Sequence, residues 1–170
     1  MSDIEPSRLP EPTAPPEPTV PPEPIMPPIA TVVITNYNYD RFLAVAVTSA
    51  LDQTVPCQVV VVDDGSTDNS GAILENFASR DPRIKLMRQD NRGFVPSLNR
   101  MVEAATAPWI ARMDADDVAH PERFARQMTK LSAEPSIDVL GTDAHLIGPD
   151  SQRIIRPAIH RPTEHEDLFA

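Results

Sequence analysis

The chain has 170 residues and a formal net charge of −10. This length fits one domain with a sizeable core, and the acidic balance argues against a nucleic-acid partner, which would require a basic face. The single cysteine, Cys57, excludes an intramolecular disulfide, and no apolar stretch reaches the roughly eighteen residues that a membrane span needs. No signal-peptide pattern opens the chain, so we expect a cytoplasmic protein.

Residues 1–28 are expected to form a disordered tail rich in proline and glutamate. Eleven of the twenty prolines fall there. Such a composition cannot bury a core and favours extended polyproline II. We interpret the tail as a spacer, with docking to a proline-recognising partner as the alternative.

Order is expected from Ile29 onward. Runs of β-branched and apolar residues predict strands at 29–35, 58–62, 84–87 and 108–113. Helical spacing of apolar residues predicts a helix after each of these strands, the last of them with Pro121 at its first position. A strand pair is predicted at 137–140 and 144–147.

The alternation of strands and helices predicts an α/β fold with a mainly parallel, Rossmann-like sheet and helices on both faces. Ligands of such sheets bind beyond the carboxyl ends of the strands. Polar clusters stand at three of these ends, at 36–38, 63–68 and 114–117. Their shared location predicts one site.

The acidic cluster Asp114, Asp116 and Asp117 directly follows a predicted buried strand. Carboxylates this close repel one another unless a cation lies between them. Asp114 and Asp116 are two residues apart, so on an extended segment they would point to the same side and suit a divalent cation that also takes phosphate oxygens. The alternative is that these acids are solvated turn residues.

Other nucleotide and phosphate chemistries have less support. The chain has neither Gly-x-Gly-x-x-Gly after the first strand nor Gly-Lys-Ser/Thr. A magnesium-dependent, phosphatase-like Asp-x-Asp enzyme with an aspartyl nucleophile remains a remote alternative. The chain offers only Lys85 and Lys130 as the lysine that such an enzyme would use.

Four motifs taken together resemble the family 2 glycosyltransferases of the GT-A fold. They are Val61–Asp68, Asn91–Gly93, Asn99 and Ala111–Asp117. The resemblance runs from about residue 29 to residue 148 and implies a nucleotide-sugar-binding domain at 29–150. Residues 151–170 would then begin an incomplete C-terminal acceptor part.

The resemblance also implies roles for residues on the nucleoside side of a donor site. The loop after the first strand, with Thr35 and Tyr37, would cradle the base of a nucleoside-diphosphate sugar, with UDP as the expected nucleotide. Asp64, with Asp63 beside it, would accept a hydrogen bond from the base or ribose. Nearby Asp68 is expected to be a helix N-cap and not a ligand.

On the diphosphate side, the resemblance implies that Asn91, Gly93 and Asn99 line the donor. Asp116 would bind Mn²⁺ or Mg²⁺, and Asp114 would contact the ribose or the metal and its waters. The cation would offset charge on the departing diphosphate. Arg92 and Arg112 are either phosphate contacts or solvated side chains.

The implied function is inverting, metal-assisted transfer of a sugar to a saccharide or lipid-linked acceptor in cell-envelope or exopolysaccharide synthesis, with peripheral membrane association as a further expectation. In the family the general base lies well beyond the Asp-x-Asp motif, so no catalytic residue is predicted. The acids at 164–167 come too early for that role and are expected to begin a helix. The alternative is a truncated, non-catalytic fragment that binds nucleotide sugars.

Overall fold

The computed structural model describes residues 26–148 and the backbone of residues 153–154. Most of the predicted tail and of the predicted C-terminal part lies outside these residues. The main elements alternate along the chain: β1 (Ala30–Asn36), α1 (Asp40–Leu51), β2 (Cys57–Asp63), α2 (Ser70–Arg80), β3 (Ile84–Arg88), α3 (Phe94–Ala104), β4 (Trp109–Asp114) and α4 (Arg123–Ala133). A short pair follows, β5 (Leu146–Ile147) and β6 (Arg153–Ile154).

Strands β1 to β4 form one parallel sheet in the order β3-β2-β1-β4. The register pairs Asn36 with Asp63 and Thr35 with Asp114. Parallel pairing therefore brings the polar residues that end β1, β2 and β4 to the same edge of the sheet, as the sequence predicts.

The two faces of the sheet are covered by different helices. Successive residues of β1 point to opposite faces of the sheet. Val32 and Ile34 pack with residues of α1, α2 and α4, whereas Val33 packs with Met101 of α3. Full burial of a side chain of this size contributes about 1.5–3 kcal/mol. The prediction of helices on both faces is confirmed, and the two buried layers hold the strand ends in fixed register.

Cys57 begins β2 and belongs to the larger core cluster. Burial raises the pKa of its thiol to about 11, although the charge of Arg83 acts in the opposite direction. The thiol therefore stays protonated at neutral pH and behaves as a small apolar side chain.

The predicted strand pair at 137–140 and 144–147 is wrong. Leu146 and Ile147 instead pair in antiparallel fashion with Ile154 and Arg153. None of the residues of the segment 137–140 is fully buried, and Val139 is 89% exposed. An apolar run forms a stable strand only where a ladder partner and a buried surface are both present.

The predicted position of Pro121 is also wrong, because α4 begins at Arg123. The carbonyl of Pro121 accepts a hydrogen bond from the backbone N–H of Thr54 at 3.0 Å, and the carbonyl of His120 accepts one from Gln53 at the same distance. These long-range contacts hold the segment as a turn against α1 and delay the start of the helix. Among the described residues, none of the helices is long and apolar enough to cross a membrane.

Candidate nucleotide site

A cavity of about 580 Å³ lies beyond the carboxyl ends of the four parallel strands. This volume is in the usual range for small-molecule sites. Residues from all three predicted polar clusters line it, together with residues that follow β3: Thr35, Asn36, Tyr37, Tyr39, Asp64, Asn91, Gly93, Phe94, Ser97, Arg112, Asp114, Ala115 and Asp116. Seven of the nine residues that the sequence assigns to the site are in this set.

The loops after β1 and β2 are joined by side-chain hydrogen bonds. Asn36 donates from Nδ2 to the hydroxyl of Ser66 at 3.0 Å, and the backbone N–H of Asn38 donates to the same oxygen at 3.0 Å. Asn38 adopts a left-handed conformation with φ 58°, which asparagine tolerates better than most residues. Its Oδ1 accepts from the N–H of Thr67 at 2.8 Å. These contacts fix the wall that carries Tyr37 and Tyr39.

Asp68 stabilises the starts of two helices. Its Oδ1 accepts from the N–H of Ser70, the first residue of α2, and its Oδ2 accepts from the N–H of Asp40, the first residue of α1, each at 3.0 Å. Burial alone raises the pKa of Asp68, but the hydrogen bonds from Ser70 and Asp40 lower it below its ordinary value. Asp68 thus caps α2 from one position before the N-cap residue Asn69, caps α1 from a separate loop, and does not line the cavity.

Asp64 organises the loop after β3. Its Oδ1 accepts from Gln89 Nε2 at 2.6 Å and from the N–H of Arg92 at 2.8 Å, and its Oδ2 accepts from the N–H of Gly93 at 2.8 Å. The residue is only 5% exposed. Burial alone raises the pKa of Asp64, but these hydrogen bonds, with a contribution from Ser97, hold it below its ordinary value. The carboxylate therefore stays charged at the cavity wall.

Two predicted site residues do not line the cavity. Asp63 is buried behind it, where its Oδ1 accepts from Asn36 Nδ2 and from the N–H of Ser66, each at 3.3 Å, while Oδ2 lies 3.8 Å from Arg88. Asn99 is exposed on α3, outside the lining set. The structure places Asp63 as a support for the loops and gives Asn99 no contact with the cavity.

Asp114 and Asp116 both line the cavity, but they do not lie on one extended segment as the sequence predicted. β4 ends at Asp114, and the N–H of Asp117 bonds back to the carbonyl of Asp114 at 3.2 Å. Asp116 therefore lies in a tight turn and not on an extended segment. The turn folds at this point because Met113 and Ala115 are buried on either side of Asp114 and anchor the chain.

Charge is concentrated at this turn. The pKa of Asp117 is raised by partial withdrawal from solvent and by the neighbouring carboxylates Asp114 and Asp116. Arg112 contacts the Asp114 carboxylate and offsets part of this repulsion. The guanidinium of Arg112 also lies over the ring of Phe94, 5.3 Å from its centroid.

The sequence did not assign a definite role to several cavity residues, of which Asn36 and Arg112 matter most. Asn36 is 1% exposed, and its Oδ1 is buried with no hydrogen-bond partner among the described residues. Its place at the end of β1 was a signal for the site, but its burial could not be seen in the sequence. Phe94 and Ser97 gave no signal because they read as ordinary helix residues.

The residues present fit a divalent cation with few protein ligands. Nowhere in the described chain do three or more His, Cys, Asp or Glu side chains converge on one possible metal position. Asp114 and Asp116 offer carboxylate oxygens in one cavity. Oxygen pairs of this kind suit Mg²⁺ or Mn²⁺ when phosphate oxygens and water complete the shell.

Gly65 allows the loops after β2 and β3 to approach each other. It adopts φ 79°, and a Cβ placed on it would lie 2.8 Å from the backbone nitrogen of Asn91. We expect Gly65→Ala to reduce the free energy of unfolding by about 2 kcal/mol. An alanine in the left-handed conformation costs about 1–2 kcal/mol, and its Cβ would also clash with the backbone of Asn91. Chemical denaturation measures the loss.

Two other glycines serve as controls for that prediction. Gly93 has φ 84°, but a Cβ placed on it would have no atom within 4 Å, and Gly141 has neither feature. The expected order of destabilisation is Gly65→Ala, then Gly93→Ala, then Gly141→Ala. An equal loss at Gly65 and Gly93 would contradict the close approach.

The fold and the site together define an α/β domain with a cavity at the carboxyl ends of its parallel strands, where sheets of this kind bind ligands. Residues 31–165 match the family model described as glycosyl transferase family 2. The chain belongs to this family, and its fold is of the GT-A type.

Relatives and solved structures agree with this assignment. The chain is 37% identical over 142 residues to an uncharacterized glycosyltransferase of Nostoc sp., a match that covers 81% of this chain and 43% of the relative. It is 27% identical over 127 residues to the hyaluronan synthase of Pasteurella multocida, covering 74% of this chain and 13% of that protein. The chain thus spans less than half the length of these curated relatives.

Two solved structures share the fold. A mannosyltransferase from Pyrobaculum calidifontis in complex with GDP-Man and Mn²⁺ is 28% identical, with a TM-score of 0.58 over 70% of this chain and 36% of that one. S. aureus TarS in complex with UDP is 21% identical, with a TM-score of 0.58 over 68% of this chain and 38% of that one. The second likeness bears on the fold alone.

Proposed function

We propose that this chain binds a nucleoside-diphosphate sugar, with a UDP-sugar as the expected donor, and transfers the sugar to a saccharide or lipid-linked acceptor in cell-envelope or exopolysaccharide synthesis. The observation that carries the proposal is the cavity itself. One wall of the cavity carries the Asp64 carboxylate beside the buried amide of Asn36. The other wall carries the carboxylates of Asp114 and Asp116. Membership of glycosyl transferase family 2 supports it.

The nucleoside would lie against the loops that follow β1 and β2. Asp64 lines the cavity with a charged carboxylate, whose oxygens are acceptors for donors of the base or ribose. The orphaned Oδ1 of Asn36 is a second acceptor in the same wall. Tyr37 and Tyr39 are partly exposed and can cover an aromatic base.

The diphosphate would lie toward the turn after β4. Asp116 would hold Mn²⁺ or Mg²⁺, with Asp114 contacting the ion or the ribose, and Asn91 and Gly93 would line the phosphates from the opposite wall. A bound cation would supply Lewis-acid neutralisation of charge on the departing diphosphate. The acceptor hydroxyl oxygen would form the new bond to the anomeric carbon as the bond to the diphosphate oxygen breaks, with inversion.

The hydroxyl proton must pass to a base. Among the described residues, the carboxylates that line the cavity are Asp64, Asp114 and Asp116, and all three are assigned to donor binding. None of them is therefore assigned as the base. Donor binding is therefore the part of the function that these residues can perform.

Calorimetric titration of UDP and of GDP, each with and without Mn²⁺, tests the proposal. We expect one of these nucleotides to bind with a stoichiometry of one and with an affinity that Mn²⁺ increases. Release of the nucleoside diphosphate from the matching nucleotide sugar, followed by chromatography, then separates an active transferase from a non-catalytic binding fragment. A folded chain that binds neither nucleotide in either condition would contradict the proposal.

A further inference from the structure

Arg112 occupies a distinctive place in the cavity wall. Its Cα pairs with Val33 of β1, so its side chain stands on the α3 face of the sheet. The side chain is 51% exposed, contacts the carboxylate of Asp114, and lies over the ring of Phe94. All three residues line the same cavity.

Among the described residues that line the cavity, Arg112 is the only cation, and it stands against three carboxylates, Asp64, Asp114 and Asp116. The nearby arginine Arg92 contributes its backbone N–H to Asp64, while its side chain lines a neighbouring cavity with Arg88 and Arg100. In the absence of a bound cation, a diphosphate entering a cavity that lacked Arg112 would meet the uncompensated charge of these carboxylates.

The contacts of Arg112 leave most of its donors unused. A guanidinium has five N–H groups in a planar fork, and within the described chain the fork donates through Nη2 to Asp114. The contact with the Phe94 ring, 5.3 Å from the guanidinium carbon to the ring centroid, restricts the side chain without consuming a donor. The remaining donors of the fork are therefore available to phosphate oxygens, which a guanidinium can bind in bidentate fashion.

We propose that Arg112 binds the diphosphate of the nucleotide and that Asp114 holds it in place until the nucleotide arrives. This inference rests on the proposed function. When the nucleotide binds, the guanidinium exchanges the Asp114 carboxylate for phosphate oxygens, and Asp114 becomes available to the cation or the ribose. The ion pair is half exposed, so the exchange costs little.

The test compares Arg112→Gln and Arg112→Lys with the wild-type chain. UDP and uridine are titrated with and without Mn²⁺, or GDP and guanosine if GDP is the nucleotide bound. Binding of Mn²⁺ alone is followed by electron paramagnetic resonance. Arg126→Gln is the matched control, because Arg126 is an exposed, ion-paired arginine of α4 outside the cavity.

We expect Arg112→Gln to weaken UDP binding by about 10- to 100-fold, the usual effect of losing a hydrogen bond between charged groups, and to leave uridine binding unchanged. Binding of Mn²⁺ alone should become about two- to fivefold tighter, because Asp114 no longer has a competing partner. Arg112→Lys should restore part of the UDP affinity, and Arg126→Gln should match the wild type.

Each other outcome overturns a defined part of the account. Equal losses for UDP and uridine would mean that Arg112 only supports the wall, and unchanged UDP binding would mean that it is only a partner of Asp114. Either result overturns the inference while the proposed function stands. A folded wild-type chain that binds neither UDP nor GDP, with or without Mn²⁺, would overturn the proposed function and this inference together.

Discussion

Replacing Asp116 with asparagine should remove the manganese-dependent part of nucleotide binding, with an affinity loss of at least about 100-fold in the presence of Mn²⁺. Loss of residues that merely support metal ligands costs 10- to 100-fold in metal affinity, so loss of a ligand should cost at least as much. Asp116 is exposed in its turn, where its side chain supports none of the hydrogen bonds that shape the loop. Stability should therefore stay within about 0.5 kcal/mol of the wild type.

Asp117→Asn is the matched control for this prediction. It removes the same charge one residue away, from a side chain that does not line the cavity. Calorimetric titration of the nucleotide with and without Mn²⁺ should show metal dependence in Asp117→Asn and none in Asp116→Asn. If the two variants bind alike, Asp116 is not the metal ligand and the assignment of the Asp-x-Asp pair is wrong.

Replacing Asp64 with asparagine should reduce the free energy of unfolding by about 3 kcal/mol and weaken nucleotide binding as well. Three donors converge on this buried carboxylate, from Gln89, Arg92 and Gly93. Hydrogen bonds to a charged group are worth about 1.5–3 kcal/mol each and are not additive. Asparagine keeps the shape but presents its own N–H₂ to one of these donors, so at least one buried donor loses its acceptor.

The effect of Asp64 on stability should depend on pH in a defined direction. The pKa of Asp64 is lower in the folded chain than its ordinary value. Its contribution to stability is then fully present above the unfolded pKa of about 3.9 and is lost as the pH falls through the lower folded pKa. Denaturation at a series of pH values should show the difference between wild type and Asp64→Asn shrinking below about pH 4.

Asp90→Asn is the control, because Asp90 is an exposed acid in the same loop. It should leave both the stability and its pH dependence close to those of the wild type. A stability difference for Asp64→Asn that does not change with pH would mean that the charge of Asp64 is not what holds the loop.

The central elements of the fold could be predicted because local and long-range preferences agree there. β1 and β2 are continuous β-branched runs, and both are buried on two faces in the structure. The helix after β1 begins at Asp40 as its apolar spacing indicates. Prediction failed where tertiary contacts decide the outcome, at Pro121, held by Thr54, and at 137–140, which lacks a packed face.

The site was predictable to the level of strand ends but not to the level of individual contacts. Motif residues mark the ends of β2 and β4, and parallel pairing brings them together. Sequence spacing could not show that Asp63 turns inward to Asn36 and Arg88 while Asp64 turns to the cavity. Nor could it show that Arg112, read as either a phosphate contact or a solvated side chain, lies between Phe94 and Asp114.

The location of the nucleotide is the central claim, and amide chemical-shift mapping of the ¹⁵N-labelled chain tests it most directly. We expect UDP with Mg²⁺, or GDP if that is the nucleotide bound, to shift the amides of Asn36, Asp64, Gly93 and Asp116, which line the cavity at the carboxyl ends of the strands. Amides near Arg83, at the opposite end of the sheet, should not move. Shifts centred on Arg83, or none around the cavity at saturating nucleotide, would contradict the account.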